Sequence, residues 1–137
     1  MSLIQAINKL REFSQEVPLP PRLPSTEEVE CMEKELGVKF HPDYKTYLLE
    51  ASDSVLGTLE PAVITLPGSH IYLPDIVRSA RKMGVPEELF PICSNNGDYF
   101  CLNELGEVVY WSHNGAVNEK WPNLAAWITD EWIAKNA

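Results

Sequence analysis

The chain has 137 residues, a formal net charge of −9 at pH 7 and 45% hydrophobic residues. This length predicts one domain with one core, and the hydrophobic content excludes an intrinsically disordered chain. The negative charge argues against nucleic acids and anionic membranes as partners. No apolar run in the sequence reaches the length of about 18 residues that a transmembrane helix needs.

The N-terminal part predicts a helix followed by an extended connector. Residues 2–14 have apolar side chains at helical spacing and few Lys and Arg residues, which favours packing on a core over binding to a membrane surface. These positions are Leu3, Ile4, Ile7, Leu10 and either Ala6 or Phe13. The segment lacks the continuous apolar block of a signal peptide, so the expected location is cytoplasmic. Four prolines make residues 17–24 an extended connector, with an SH3-type ligand as the alternative. The single domain therefore divides into an N-terminal helix and connector, 1–24, and a core, 25–137.

Two helices are predicted at the beginning of the core. The first runs from a capping box at Ser25 to a stop at Gly37. The second begins at His41 or Pro42, because proline is favoured in a first turn, and it ends near Ser52. Its apolar side consists of Tyr44, Tyr47, Leu48 and Ala51.

The middle of the chain predicts short strands and another helix. Residues 54–66 are strand-like, but Gly57 and Pro61 divide them into short edge pieces. Pro74 begins a helix that ends at Gly84. Its last turns contain the basic residues Arg78, Arg81 and Lys82. Because cations are favoured near the C-terminus of a helix, these residues are expected to stabilise the helix end rather than to bind phosphate.

The strongest local signal is a three-stranded antiparallel meander over Phe90–Trp111. Asn96-Gly97 is the dipeptide that a type I′ hairpin turn prefers, and Leu105-Gly106 suits a second tight turn. Residues 112–120 then predict a loop, and residues 124–134 a final helix. The apolar positions of that helix are Leu124, Trp127, Ile128 and either Trp132 or Ile133. The predicted fold class is α+β, with a twisted, mainly antiparallel sheet centred on the meander and surrounded by N-terminal, middle and C-terminal helices.

The two turns also predict the register of the meander. The Asn96-Gly97 turn pairs Cys93 with Phe100 and leaves Cys101 on the opposite face of the sheet. This argues against a Cys93–Cys101 disulfide, although a loop one residue longer would reverse that conclusion. All three cysteines, Cys31, Cys93 and Cys101, are therefore expected to be reduced and buried. A two-residue second turn would pair Leu102 with Val109 and Phe100 with Trp111, and would leave Tyr99, Cys101 and Tyr110 on the other face. Both faces are apolar, so we expect helices to cover one and a partner to contribute to the other.

No motif in the sequence predicts a reaction. His41, His70 and His113 do not share a metal-ligand spacing, and phosphate-loop, dinucleotide and nucleophile-elbow motifs are absent from the sequence. A pair of Cys93 or Cys101 with His113 is the alternative of a thiol enzyme, but a strand cysteine among apolar residues is usually inert. No catalytic, metal or cofactor site is predicted.

The acidic residues are concentrated around the meander. Between Met83 and Glu119 the sequence has no Lys or Arg, while its acids are Glu87, Glu88, Asp98, Glu104, Glu107 and Glu119. This distribution favours either general solubility or the attraction of a basic protein.

The order of segments resembles the SUKH superfamily, which includes fungal cell-wall-assembly regulators and bacterial immunity proteins. The resemblance covers roughly residues 25–132 and is carried by four stretches: Leu36-Gly37-Val38, Phe40 to Leu48, Asn95 to Asn103 and Val108 to His113, followed by a Trp-containing helix. It implies an α+β domain without enzyme activity.

The resemblance also implies a protein partner, in bacterial members a toxin that is often a nuclease or deaminase. The expected function is an immunity protein that occludes a basic toxin domain, as a monomer or weak homo-oligomer. A housekeeping regulatory scaffold is the alternative, and a small thiol-dependent enzyme is less favoured. The candidate contact residues, chosen for acidity, loop position or aromatic character, are Asp53, Glu60, Asn96, Asp98, Trp111 and Glu119.

Overall fold

A computed structural model describes residues 1–115 and 118–137. The helices are α1 (Leu3–Phe13), α2 (Thr26–Leu36), α3 (Pro42–Ala51), α4 (Leu73–Met83), α5 (Leu124–Trp127) and α6 (Ala134–Asn136), and a π-helical segment (Ile128–Ile133) joins α5 to α6. The strands are β1 (Phe90–Asn95), β2 (Asp98–Leu102), β3 (Val108–Trp111) and β4 (Lys120–Trp121). They form one antiparallel sheet in the order β1-β2-β3-β4, which confirms the α+β prediction. Within the described residues, no helix has both the length and the apolar character needed to cross a bilayer.

Local sequence signals set the ends of the first helices. The hydroxyl of Ser25 accepts a hydrogen bond from the Glu28 backbone N–H at 3.1 Å, and the Glu28 carboxylate accepts one from the Ser25 N–H at 2.9 Å. This reciprocal pair is the predicted capping box. Gly37 ends α2 with φ of +67°, a left-handed conformation that glycine adopts without steric cost.

The N-terminal helix packs on the core as predicted. Ala6, Ile7 and Leu10 are buried against α3 and the C-terminal helical elements. Ile4, predicted on the same side, is 65% exposed, so its predicted packing on the core is wrong. The prolines of residues 17–24 keep the following connector out of helical conformation.

The first hairpin confirms the predicted register. Asn96 and Gly97 both have positive φ, +52° and +90°, as a type I′ turn requires. Cys93 therefore lies opposite Phe100, although a bulge between Pro91 and Cys93 shifts the pairing further along β1. The cysteines are free, so no disulfide joins the two strands.

The second turn differs from the prediction. Three residues separate Asn103 from Glu107, and their backbones meet through a hydrogen bond from the Asn103 N–H to the Glu107 carbonyl at 3.0 Å. The Asn103 side-chain oxygen accepts the N–H groups of Leu105 and Glu107, both at 3.0 Å, and Gly106 takes φ of +82°. A three-residue loop that ends in a left-handed glycine is a common alternative to a two-residue turn.

The longer turn moves β3 by one residue. Leu102 lies opposite Val108 rather than Val109, and Phe100 lies opposite Tyr110 rather than Trp111. Because strand side chains alternate between faces, this shift exchanges the predicted faces of Tyr110 and Trp111. The predicted placement of Tyr110 with Tyr99 and Cys101 is therefore wrong.

Helices cover both faces of the sheet. On one face the Phe100 ring packs against Trp127 of α5, with ring centroids 5.3 Å apart. On the other face Tyr99 and Cys101 are buried, and α4 packs beside them on β1. On this second face the helices do not fully cover β3, where Val109 and Trp111 remain partly exposed.

Residues 54–66 do not form regular strands, contrary to the prediction. They make only isolated bridges, among them Pro61 with Cys93 and Val63 with Tyr72. Proline has no N–H to donate, so this segment cannot extend a ladder along β1.

Other differences occur toward the chain end and at one cysteine. Strand β4 was not predicted, because two residues give too weak a sequence pattern. Ala116 and Val117 of the predicted 112–120 loop lie outside the described residues. The predicted final helix forms, but its π-helical segment widens the turn and buries both Trp132 and Ile133.

The prediction that Cys31 is buried is wrong. Cys31 is exposed, because only Val29 and Met32 of α2 face the core.

Candidate partner-binding surface

Asp98 is the centre of a hydrogen-bond network at the hairpin end of the sheet. Its Oδ2 accepts the hydroxyl proton of Tyr110 at 2.7 Å, while its Oδ1 accepts the His113 backbone N–H at 3.1 Å and lies 2.6 Å from His113 Nδ1. Asn95 completes the network by donating to the Tyr110 hydroxyl at 3.2 Å. The network connects β1, β2 and β3 with the loop that follows β3.

The pKa of Asp98 is lower than its ordinary value. The hydrogen bond from the Tyr110 hydroxyl is the largest cause, and the contacts with His113 add a smaller effect. Asp98 is therefore a carboxylate at neutral pH. Its side chain is only 17% exposed, and both oxygens are already bonded within the chain. These contacts give Asp98 a positioning role at the hairpin end.

A groove lies beside this network on the partly exposed face of β3. We call it the β3 groove; its volume is about 400 Å³, and its lining residues are Leu89, Val109, Tyr110, Trp111, Ser112, His113 and Gly115. The Trp111 ring packs at an angle on Tyr99, with centroids 6.2 Å apart. Gly84 lies close to the same indole, since a Cβ built on Gly84 would be 3.7 Å from Trp111 Cζ2. Trp111 thus has a fixed inner side and an accessible outer side.

Two more of the predicted contact residues lie at this end of the sheet. Asn96 is exposed at the tip of the β1–β2 turn. Glu119 is exposed and its backbone carbonyl accepts the N–H of Tyr110 at 3.0 Å, which places it beside β3. The structure therefore brings Asn96, Asp98, Trp111 and Glu119 to one region.

The remaining two predicted residues lie in the segment that follows α3 and have their own ionic partners. Asp53 Oδ1 is 2.7 Å from Nη1 of Arg11, and this ion pair connects α1 with the segment that follows α3. Glu60 Oε1 is 3.1 Å from Nε2 of His70. Neither carboxylate contacts the β3 groove among the recorded hydrogen bonds and ion pairs of the described residues.

Sequence reasoning missed three parts of this surface, namely Leu89, Tyr110 and His113. The bond from Tyr110 to Asp98 was missed because the assumed turn, one residue too short, placed the Tyr110 side chain on the opposite face from Asp98. The usable signal was Asn103, whose side chain closes the turn over three residues rather than two. Leu89 and His113 reach the groove only through tertiary contacts.

The chemical groups near the sheet do not form a nucleophilic site. Burial raises the pKa of Cys101 to about 12 and raises that of Cys93 still further, so both thiols disfavour the reactive thiolate. Within residues 1–115 and 118–137, no three His, Cys, Asp or Glu side chains are grouped to hold a metal ion. The surface is suited to binding through an aromatic side chain and polar groups.

Comparison with known proteins gives a family and a structural relative. A crystal structure of a protein from Pseudomonas syringae pv. tomato is 38% identical in sequence and superposes with a TM-score of 0.91, covering 96% of this chain and 98% of that chain. No curated protein matches the chain. The sequence profile of SUKH_5, described as SMI1-KNR4 cell-wall, matches residues 3–133. The chain therefore belongs to the SUKH_5 family, SMI1-KNR4 cell-wall.

Proposed function

We propose that the chain is a non-enzymatic protein-binding domain that neutralises a cognate toxin by direct occlusion. The observation that carries this proposal is Trp111, which is partly exposed in the β3 groove while its inner side is held by Tyr99. Tryptophan is enriched among the residues that dominate protein interfaces, because it buries a large apolar area with few rotatable bonds. The expected free state is a monomer or weak homo-oligomer, with one chain bound per toxin domain.

The charge around the groove favours a basic partner. The sequence from Gly84 to Asn118 contains no Lys or Arg, and the exposed carboxylate of Glu119 lies beside β3. Complementary charge speeds the encounter of two proteins and suppresses wrong partners. A nuclease domain, whose own substrate is anionic, is the kind of basic partner that this surface would attract. The location proposed for this interaction is the cytoplasm.

Two alternatives remain distinct from this proposal. A housekeeping regulatory scaffold is favoured by the cell-wall description of the family, and it would use the same groove for an endogenous protein. A small thiol-dependent enzyme has less support, because burial raises the pKa values of Cys93 and Cys101.

Co-expression with a toxin tests the proposal directly. The partner to use is any toxin domain that a neighbouring gene encodes, and the readouts are growth rescue and a stable complex on size exclusion. Trp111→Ala should abolish rescue or weaken the complex by about 10-fold or more, because an anchoring indole is lost. Leu19→Ala is the matched control, since Leu19 is 90% exposed on the connector and lies outside the groove.

The complex should also weaken as salt concentration rises, because its long-range attraction is ionic. A variant that keeps the wild-type melting temperature is required before a loss of rescue is attributed to the groove. The proposal fails if the wild-type chain neither rescues growth nor forms a complex with the toxin domain. A complex with an endogenous cell-wall-related protein, in place of the toxin, would support the scaffold alternative.

A further inference from the structure

A second concave site lies at the opposite end of the sheet from the β1–β2 hairpin. It is formed where β1 begins and β2 ends, so the length of β1, roughly 20 Å, separates it from the Asn96-Gly97 turn. Its volume is about 360 Å³, which lies within the range of about 300–1,000 Å³ typical of ligand pockets. We call this site the aromatic cleft.

Three rings form a continuous aromatic part of the cleft wall. The centroids of Phe40 and Tyr44 are 5.3 Å apart, those of Phe40 and Phe90 are 5.6 Å apart, and those of Tyr44 and Phe90 are 6.0 Å apart. Aromatic faces carry a negative quadrupole that attracts cations, and guanidinium groups also stack on them. Tyr44 is 1% exposed, and its hydroxyl is buried without a hydrogen-bond partner among the described residues. The Tyr44 hydroxyl is too deeply buried to reach a ligand, so the rings are the part of the wall that suits a planar cation.

Three carboxylates stand on the rim of the cleft. The side chain of Glu87 is 91% exposed, and Glu88 and Glu104 are exposed as well. Within the described part of the chain, Glu88 and Glu104 form no ion pair, so their charges are available to a ligand.

The bases of the lining offset only part of this charge, and the Arg81 Nε lies 3.8 Å from the Glu87 carboxylate. The Arg81 guanidinium donates to the carbonyls of Pro86 and Leu89, both at 2.7 Å, and this holds the loop before β1. Lys39 is the other base of the lining, so carboxylates outnumber bases by three to two. The site therefore combines a net negative charge with an aromatic wall.

We propose that the aromatic cleft binds the side chain of an arginine projecting from a protein partner. The planar guanidinium stacks on the Phe40 and Phe90 rings while its N–H groups donate to the carboxylates of Glu88 and Glu104. A lysine ammonium, a compact and strongly hydrated charge, would use the rings less well. This inference rests on the proposed function in one respect, namely that the partner that supplies the arginine is a basic protein.

Short capped peptides test the cleft without a toxin. The full chain is titrated with acetyl-Gly-Arg-Gly-amide, with the lysine peptide and with the neutral citrulline peptide, and amide and aromatic NMR shifts are followed. The arginine peptide should bind saturably with a Kd of about 1 mM and shift Phe90 and Leu102, while citrulline binds about 10-fold more weakly or not at all. Free arginine distinguishes a small metabolite from a protein side chain, because only a site built for the amino acid would also recognise its uncapped ammonium and carboxylate.

Two variants complete the experiment. Glu88→Gln combined with Glu104→Gln should weaken the arginine peptide about 5-fold, since two charge-assisted bonds are lost. Glu12→Gln, at an exposed position of α1, should leave the Kd unchanged. The proposal is overturned if the arginine and citrulline peptides bind alike, if neither binds, or if free arginine binds more tightly than the capped peptide. Failure of both growth rescue and complex formation would overturn the toxin proposal and leave a measured arginine site intact.

Discussion

His113 Nδ1 lies 2.6 Å from Oδ1 of Asp98, although 15 positions separate the two residues in the chain. An ionised carboxylate can only accept, so Nδ1 carries the proton in this contact and Nε2 of the ring is left free. Together with the Tyr110 hydroxyl, the pair joins the loop after β3 to the first hairpin. Trp111 lies between Tyr110 and this loop, so the network sets the position of the proposed binding residue.

Removing the Asp98 carboxylate should therefore destabilise the chain. We expect Asp98→Ala to lower the free energy of unfolding by about 1–2 kcal/mol, because the donors of Tyr110 and His113 lose a charged acceptor. Asp98→Asn should recover part of this loss, since its amide oxygen still accepts one bond. Urea denaturation measures the difference, with Glu104→Ala as an exposed control expected within about 0.5 kcal/mol of wild type. Equal stability of Asp98→Ala and wild type would contradict the structural role of the network.

Gly106 and Gly68 provide a matched pair for the second turn. Their φ values are similar, +82° and +87°, but a Cβ on Gly106 would lie 2.5 Å from Nε2 of His41, whereas one on Gly68 would meet nothing within 4 Å. Alanine at Gly68 should cost about 1 kcal/mol for its left-handed backbone. Alanine at Gly106 should cost about 1 kcal/mol more, because the His41 ring must move and weaken the bond that its Nδ1 accepts from the Asp43 N–H at 3.1 Å.

Thermal denaturation of both variants checks this difference. In a His41→Ala background the additional cost at Gly106 should largely disappear, because the clashing ring is absent. If the two glycine variants are equally destabilised, the proximity of Gly106 to His41 does not limit the turn.

The Arg22–Glu28 pair predicts a specific pH dependence. Hydrogen bonds from the Arg22 guanidinium, at 2.8 and 2.6 Å, and from the Ser25 backbone lower the pKa of Glu28 to about 2. A lowered carboxyl pKa contributes stability that is present above the unfolded value, 4.5, and is lost as the pH falls through about 2. The pair is exposed, so the effect should be small and clearest at low ionic strength.

Glu28→Gln isolates this contribution, because glutamine can keep the capping-box bond to Ser25. The difference in unfolding free energy between wild type and this variant should shrink steadily from pH 5 toward pH 2. Urea titrations across this interval measure it. A difference that stays constant over the interval would show that the charge of Glu28 contributes nothing.

The cysteines should divide into one reactive and two protected thiols. Cys31 is exposed on α2, while Cys93 and Cys101 are buried and their pKa values are raised by burial. A disulfide-exchange reagent such as Ellman's should modify one thiol per native chain at pH 8 and all three in denaturant. Cys31→Ser should remove the fast reaction. Rapid modification of two or more thiols in the native chain would contradict the burial of the strand cysteines.

Short-range chemistry made much of the fold predictable from sequence. The capping box of α2, the glycine stop at Gly37 and the Asn96-Gly97 turn each depend on residues within a few positions of one another. The apolar side of α3 was likewise predicted, since all four of its residues are buried. Such signals also set the first hairpin register, because a turn type fixes which residues face each other.

The composition of the candidate surface could be predicted from the sequence only in part. Trp111, Asn96, Asp98 and Glu119 do lie near one end of the sheet, as their positions in and beside the meander suggested. Their detailed roles depended on the second turn, where one additional residue exchanged the faces of Tyr110 and Trp111. The position of Gly106 did not distinguish a two-residue turn from a three-residue turn, because glycine suits both, and the signal from Asn103 was needed as well.

Local propensity and composition account for the helices, the first hairpin and the acidic character of the sheet region, so these features could be predicted from the sequence. The tertiary structure set the features that depend on distant segments. It placed α4 over one face, paired β4 with β3 and linked Asp53 with Arg11. It also assembled the aromatic cleft from Phe40, Phe90 and Glu104, which lie far apart in the chain. Contacts of this kind depend on which buried surfaces fit together, and neither spacing nor local propensity encodes that fit.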